Sequence, residues 1–95
     1  MKHQREDYNK RIQDTAGLIP EDEPVFLFRG IDVVAPAALE AYANLLEMLR
    51  HNQSQHDYIG FGLVDKDIIE GVRAQAKAMR EWQMMHPSKI HAPNL

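Results

Sequence analysis

Histidines are the first residues here with chemistry to offer, and their spacing argues against a metal. His51 and His56 lie five apart, as do His86 and His91, and five helical steps turn two side chains about 140° from each other. Helical metal ligands sit three or four apart, no His-Glu-x-x-His string occurs, and His56-Asp57 adds a single further ligand. Nucleophilic catalysis fares no better. Ser54, Ser88 and Thr15 are the only serines and threonine, and none lies in the Gly-x-Ser-x-Gly turn that exposes an activated hydroxyl. Gly60-x-Gly62 precedes Asp65 and a helix, yet the third glycine of a dinucleotide fingerprint and the lysine of a P-loop are missing. A bend or bulge accounts for it. Glu21-Asp22-Glu23 lies in a turn where carboxylates stay solvated. The balance is against an enzyme, with no catalytic residue, metal or cofactor expected.

Cations make a stronger pattern. Arg73, Lys77 and Arg80 follow at steps of four and three and share one helical face. One reading is a solvated face, with Glu70 pairing Arg73 and Lys77 pairing Glu81. The other is an anion site, because guanidinium groups grip phosphate through paired hydrogen bonds and lysine adds charge. Tyr58, Phe61 or Trp82 would then stack on a base. Arg29-Gly30-Ile31-Asp32 is a second candidate: Arg29 ends an apolar run, where a guanidinium needs a partner, and Asp32 is the nearest in sequence. It reads as an Arg29–Asp32 bridge or as a ligand anchor. The candidate ligand residues are therefore Arg29, Asp32, Tyr58, Arg73, Lys77 and Arg80. Trp82 with Met79, Met84 and Met85 reads as core or subunit contact rather than a cofactor box.

The chain that must position these groups has 95 residues and a mass of 10.9 kDa, the size of one domain. Only 32 residues are large and apolar, and chains of this length bury roughly 60–70% of their unfolded surface. Self-association is the expected remedy. The absence of cysteine excludes disulfide scaffolds, thiolate zinc sites, iron–sulfur clusters and cysteine nucleophiles. Residues 1–65 carry 6 basic and 11 acidic groups, while residues 66–95 carry 5 basic and 3 acidic ones. A pI near 5.9 argues against general nucleic-acid binding. No apolar run reaches the roughly 18 residues of a membrane helix, and Met1-Lys2-His3-Gln4-Arg5-Glu6 does not resemble a signal peptide. A cytoplasmic protein is expected.

Residues 1–18 read as a polar arm or frayed helix, residues 19–85 as the core and residues 86–95 as an extended tail, all within a single domain. Val25-Phe26-Leu27-Phe28, bounded by Pro24 and Gly30, predicts a short strand at 25–29. Its partner is either the 58–64 segment or the same strand of a second copy. Leu39, Tyr42, Leu46 and Leu49, flanked by Ala38 and Leu45, predict an amphipathic helix over about 36–51. A second helix over 66–85 opens at Asp65 or Asp67 and carries Ile69, Val72, Ala76, Met79, Trp82 and Met85 as its stripe. The expected fold is mainly α, with two principal helices and one short strand. Phe26, Phe28, Trp82 and Met85 are the expected interface residues.

Glu23-Pro24-Val25-Phe26-Leu27-Phe28-Arg29-Gly30-Ile31-Asp32, with Ala35-Pro36, Tyr42 and the Ala76/Met79/Trp82 spacing, resembles a family of short, functionally uncharacterised proteins of bacteriophages and bacteria. The resemblance covers residues 19–82. It implies a small accessory protein that acts by binding, in a host cytoplasm if phage-encoded. Two functions are expected: a non-enzymatic oligomer sequestering a small anionic ligand such as a nucleotide, or a protein–protein interaction module that blocks or bridges a host or virion protein.

Overall fold

The computed structural model describes residues 2–56 and 64–92, with the side chains of 53–56 outside the description. The fold is mainly α, and its residues group into two units, 2–28 and 29–92.

In the first unit, the polar N-terminal residues are ordered by aromatic packing. One helical turn, α1 (Glu6–Asn9), buries Tyr8. His3, only 5% exposed, lies between the rings of Phe26 and Tyr8, with centroids 4.7 and 4.9 Å away. Phe26 in turn meets Phe28 edge-on at 5.0 Å. The Arg5 guanidinium sits 4.3 Å over the Tyr8 ring and donates to Asp7. Further along, the Asp14 carboxylate accepts the backbone N–H groups of Leu18 and Ile19, at 3.1 and 2.8 Å. Gly17 completes that turn with φ of 64°, a region glycine enters without steric cost.

The strand expected at 25–29 does not form. Lys2 makes a single parallel bridge to Pro24: its N–H donates to the Glu23 carbonyl and its own carbonyl accepts from Val25. The pairing ends there because the next N–H, that of His3, turns to the Asn9 side chain as the chain bends into α1. Of the two expected partners, the 58–64 segment lies outside the described residues except for Val64, and the segment that does pair is the N-terminal arm.

The second unit is a helical hairpin. Asp32 starts it: its carboxylate accepts the Val34 N–H at 2.8 Å and its carbonyl accepts that of Ala35. With Pro36 in the first turn, where a missing donor costs nothing, helix α2 runs over Ala35–His56, five residues beyond the expected end. Helix α3 spans Lys66–Met85, as the periodicity predicts, and its N-cap is Asp65, whose side chain accepts the Asp67 N–H at 2.8 Å. Arg80 holds Glu40 and Arg73 holds Glu47, so the helices run antiparallel.

Between them, positions 36, 39, 43 and 46 of α2 face 69, 72, 76, 79 and 83 of α3, both sets at alternating steps of three and four. Ala43 and Ala76 fall level in this arrangement and are both 0% exposed. Small residues there let the backbones approach closely. Ile69 is 2% exposed, while Leu39, Leu46, Val72, Met79 and Trp82 are half-buried. Two expected stripe residues lie elsewhere. Tyr42 is 54% exposed, because 39/43/46 and not 39/42/46 lines the seam. Met85 is 77% exposed, because four steps from Trp82 lead to His86, which stacks on the indole at 4.3 Å.

The tail belongs to this unit. After a 3-10 turn at Pro87–Lys89, His91 makes a parallel bridge to Asp32, donating to the Ile31 carbonyl (3.1 Å) and accepting from Val33 (3.0 Å). Gln83 closes the same corner, its amide donating to the carbonyls of Gly30 (3.0 Å) and Asp32 (2.8 Å). No described helix is long and apolar enough to cross a membrane.

Candidate functional site

The residues expected to hold an anion are drawn apart or already occupied. Arg80 donates through both terminal nitrogens to Glu40, one of them at 2.8 Å. Arg73 binds Glu47 and, at 3.2 Å, the Asn44 side chain. Lys77, between them in sequence, turns outward beside Glu81 at 4.0 Å. Glu70 pairs with Lys66 at 3.9 Å rather than with Arg73. The basic stripe is thus two different things: Arg73 and Arg80 flank the helix seam, and Lys77 faces water.

Asp32 is spent on the start of α2 and the end of α3: its carboxylate accepts from Val34, its carbonyl accepts from Ala35 and Gln83, and its N–H donates to the Arg29 carbonyl. Arg29 accepts the Asp32 N–H on its own carbonyl, a 3.0 Å turn contact that joins the two residues through the backbone. Tyr58 lies outside the described residues, as does Phe61. Among the expected interface residues, Phe26 and Phe28 pack within the first unit. Trp82 lies over Gly30, where a methyl group would stand 3.7 Å from the ring. Among the described residues no group of three acidic or histidine side chains is placed to hold a metal.

Pairing with arginine holds the Glu40 and Glu47 carboxyls below the usual carboxylate range, through hydrogen bonds from Arg80 and Arg73 respectively. A carboxylate so depressed adds stability above its unfolded pKa, about 4.3, and that stability is lost as pH falls through the lower folded value. The double variant Glu40→Gln, Glu47→Gln is therefore expected to melt below the parent at pH 7. The gap should close in acid below about pH 4 and shrink in high salt, because these groups are exposed and screened. Melting curves at pH 7, 4 and 3 check this, and a gap independent of pH would contradict it.

Sequence reasoning missed a second seam on the opposite flank of α2, to which Ala38 and Leu45, read as flanking the first stripe, belong. Val34, Ala38, Ala41, Leu45, Met48 and Asn52 follow at alternating steps of four and three, repeating the pattern of the α3-facing seam about 160° away, nearly half a turn. This second seam is open. Leu45 is 63% exposed, Met48 62% and Val34 48%, and Tyr42 stands at its edge. It also carries no charge: the charged residues of α2 are Glu40, Glu47 and Arg50, none of which lies on it. By contrast, the outer side of α3 presents Lys66, Glu70, Lys77 and Glu81. A hollow of about 420 Å³ borders the second seam, lined by Asn44, Glu47, Met48 and His51. Their i, i+3, i+4, i+7 spacing is that of a hole which receives one side chain of a facing helix. The signal was present in the sequence as a helix with two apolar seams and only three charges.

Comparison with protein-family models, with characterised proteins and with solved structures gives no match to this chain.

Proposed function

We propose that this chain is a non-enzymatic protein–protein interaction module, with the uncharged second seam of α2 as its docking surface and an amphipathic helix as the partner element. The observation that carries the reading is the heptad-spaced row 38/41/45/48/52, apolar but for Asn52, on a helix whose charges are used elsewhere. Contiguous apolar patches larger than a few hundred Å² are uncommon on proteins that work alone, and mark contact sites where they occur. A facing helix buries such a row by the same packing that joins α2 to α3. Sequestering an anion at Arg73 and Arg80 has less support, because an incoming ligand must first displace Glu47 and Glu40.

Site-specific photo-cross-linking tests the reading. A photo-reactive phenylalanine in place of Met48 is expected to yield a covalent adduct with a protein chain in living cells, and the same group in place of Lys77 is not. Adducts from neither position, or equally from both, would overturn the proposal. The adduct mass reports whether the captured chain is another copy or a different protein.

A further inference from the structure

Resting on that docking surface, we infer that its occupant is the same seam of a second copy, packed antiparallel about a two-fold axis at Leu45. Three features carry the inference. First, the row is self-complementary when reversed. Turned about Leu45, it sets Leu45 against the partner's Leu45 and Ala38 against the partner's Asn52, and it brings Ala41 within one residue of the level of the partner's Met48. Each layer then joins a small residue to a larger one, or leucine to leucine, which keeps the spacing between helices uniform. A parallel pairing would stack alanine on alanine and methionine on methionine, alternating gaps with bulges.

Second, charge imposes nothing against self-pairing. Partner choice between packed helices is set largely by charges flanking the seam. Here Glu40 and Glu47 are turned to α3 and neutralised by Arg80 and Arg73, so two copies meet without like-charge repulsion. A seam evolved to select a different protein would be expected to display unmatched charge at its rim. Third, the hairpin lacks a deep core. Ala35, Pro36, Ala43, Ile69 and Ala76 are its buried apolar residues among those described, three of them alanines. Two hairpins joined through α2 form a four-helix array with α2 and its copy inside and the charged backs of α3 outside, so that each α2 is buried on two sides. Such an interface is isologous, each copy giving and receiving the same contacts.

A charge-swap at the axis tests this directly. Leu45 is exposed in the single chain, so Leu45→Glu and Leu45→Lys are expected to keep the hairpin, as far-ultraviolet dichroism will show. By light scattering the parent should have twice the chain mass, each variant alone the single-chain mass, and their equimolar mixture twice the chain mass again. Only a residue that meets its own copy gives that recovery. Because the chain has no cysteine, Leu45→Cys gives an independent reading: it should oxidise to a disulfide-linked dimer much faster than Lys77→Cys. A parent of single-chain mass, a mixture that stays dissociated, or equal oxidation at positions 45 and 77 would overturn the inference. A single-chain mass alongside a Met48 adduct to some other protein would overturn self-pairing alone and leave the interaction module intact.

Discussion

Replacing Trp82 by alanine is expected to lower the melting temperature by roughly 10–20 °C. Its indole covers Gly30 on one side and stacks on His86 at 4.3 Å on the other. His86 in addition donates from Nδ1 to the Trp82 carbonyl, 2.9 Å away. The adjacent Gln83 holds the carbonyls of Gly30 and Asp32, so the loss opens a corner where the start of α2, the end of α3 and the tail all meet. Removing a buried tryptophan costs about 3–5 kcal/mol; Trp82 is half-buried, which brings the expectation to about 2–4 kcal/mol. For a chain of this size each kcal/mol moves the midpoint by about 4–8 °C. Met84→Ala, two residues on and 81% exposed, is the control and should change stability by less than about 0.5 kcal/mol. Dichroism at 222 nm during heating compares them. Equal midpoints for the two variants would contradict the role given to the indole.

Ala76→Leu should be nearly as damaging, for the opposite reason. Ala76 is 0% exposed and lies level with Ala43, also 0% exposed, across the seam. Leucine there has no space to enter. The helices must either separate, which pulls Arg73 and Arg80 from Glu47 and Glu40, or force strained rotamers, at about 1–3 kcal/mol. A fall of about 5–15 °C in midpoint is expected. Ala78→Leu, on the exposed side of α3, adds the same bulk and should leave the midpoint close to the parent's. If both leucines are tolerated alike, the close approach at the alanine pair is wrong.

These two positions also show how far the sequence could be read. Trp82 stands out as a large aromatic residue, and helix α3 was legible from end to end because its apolar residues repeat cleanly behind an aspartate cap. Alanine does not announce itself. Two stripes on α2 fit the same steps of three and four, and the larger residues drew attention to Tyr42 when Ala43 holds the seam. The strand at 25–29 failed for a related reason: composition reports a preference for extended backbone, but a ladder needs a neighbour, and Lys2 supplies only one residue of pairing before the chain turns at His3.

The basic stripe shows the limit for sites. Arg73 and Arg80 are seven apart, and so are Glu40 and Glu47, a match that spells an antiparallel ion-paired seam once the helices are known to be adjacent. Within one helix, the same arginines fit an anion site just as well, because sequence spacing along one element is silent about what faces it from another. The second seam of α2 was hidden for the same reason. Until α3 is placed on one side, all the apolar residues of α2 merge into one broad stripe.

Hydrogen peroxide oxidation, followed by mass spectrometry of peptides, tests most directly whether that second seam is covered in the working protein. In the single chain Met48 is 62% and Met84 81% exposed, so the two thioethers should oxidise at similar rates wherever both face water. With the seam packed against its partner, Met84 becomes the sulfoxide quickly while Met48 is protected, and Leu45→Glu abolishes the protection. Equal rates at Met48 and Met84 in the parent protein, at concentrations from micromolar to millimolar, would contradict the account.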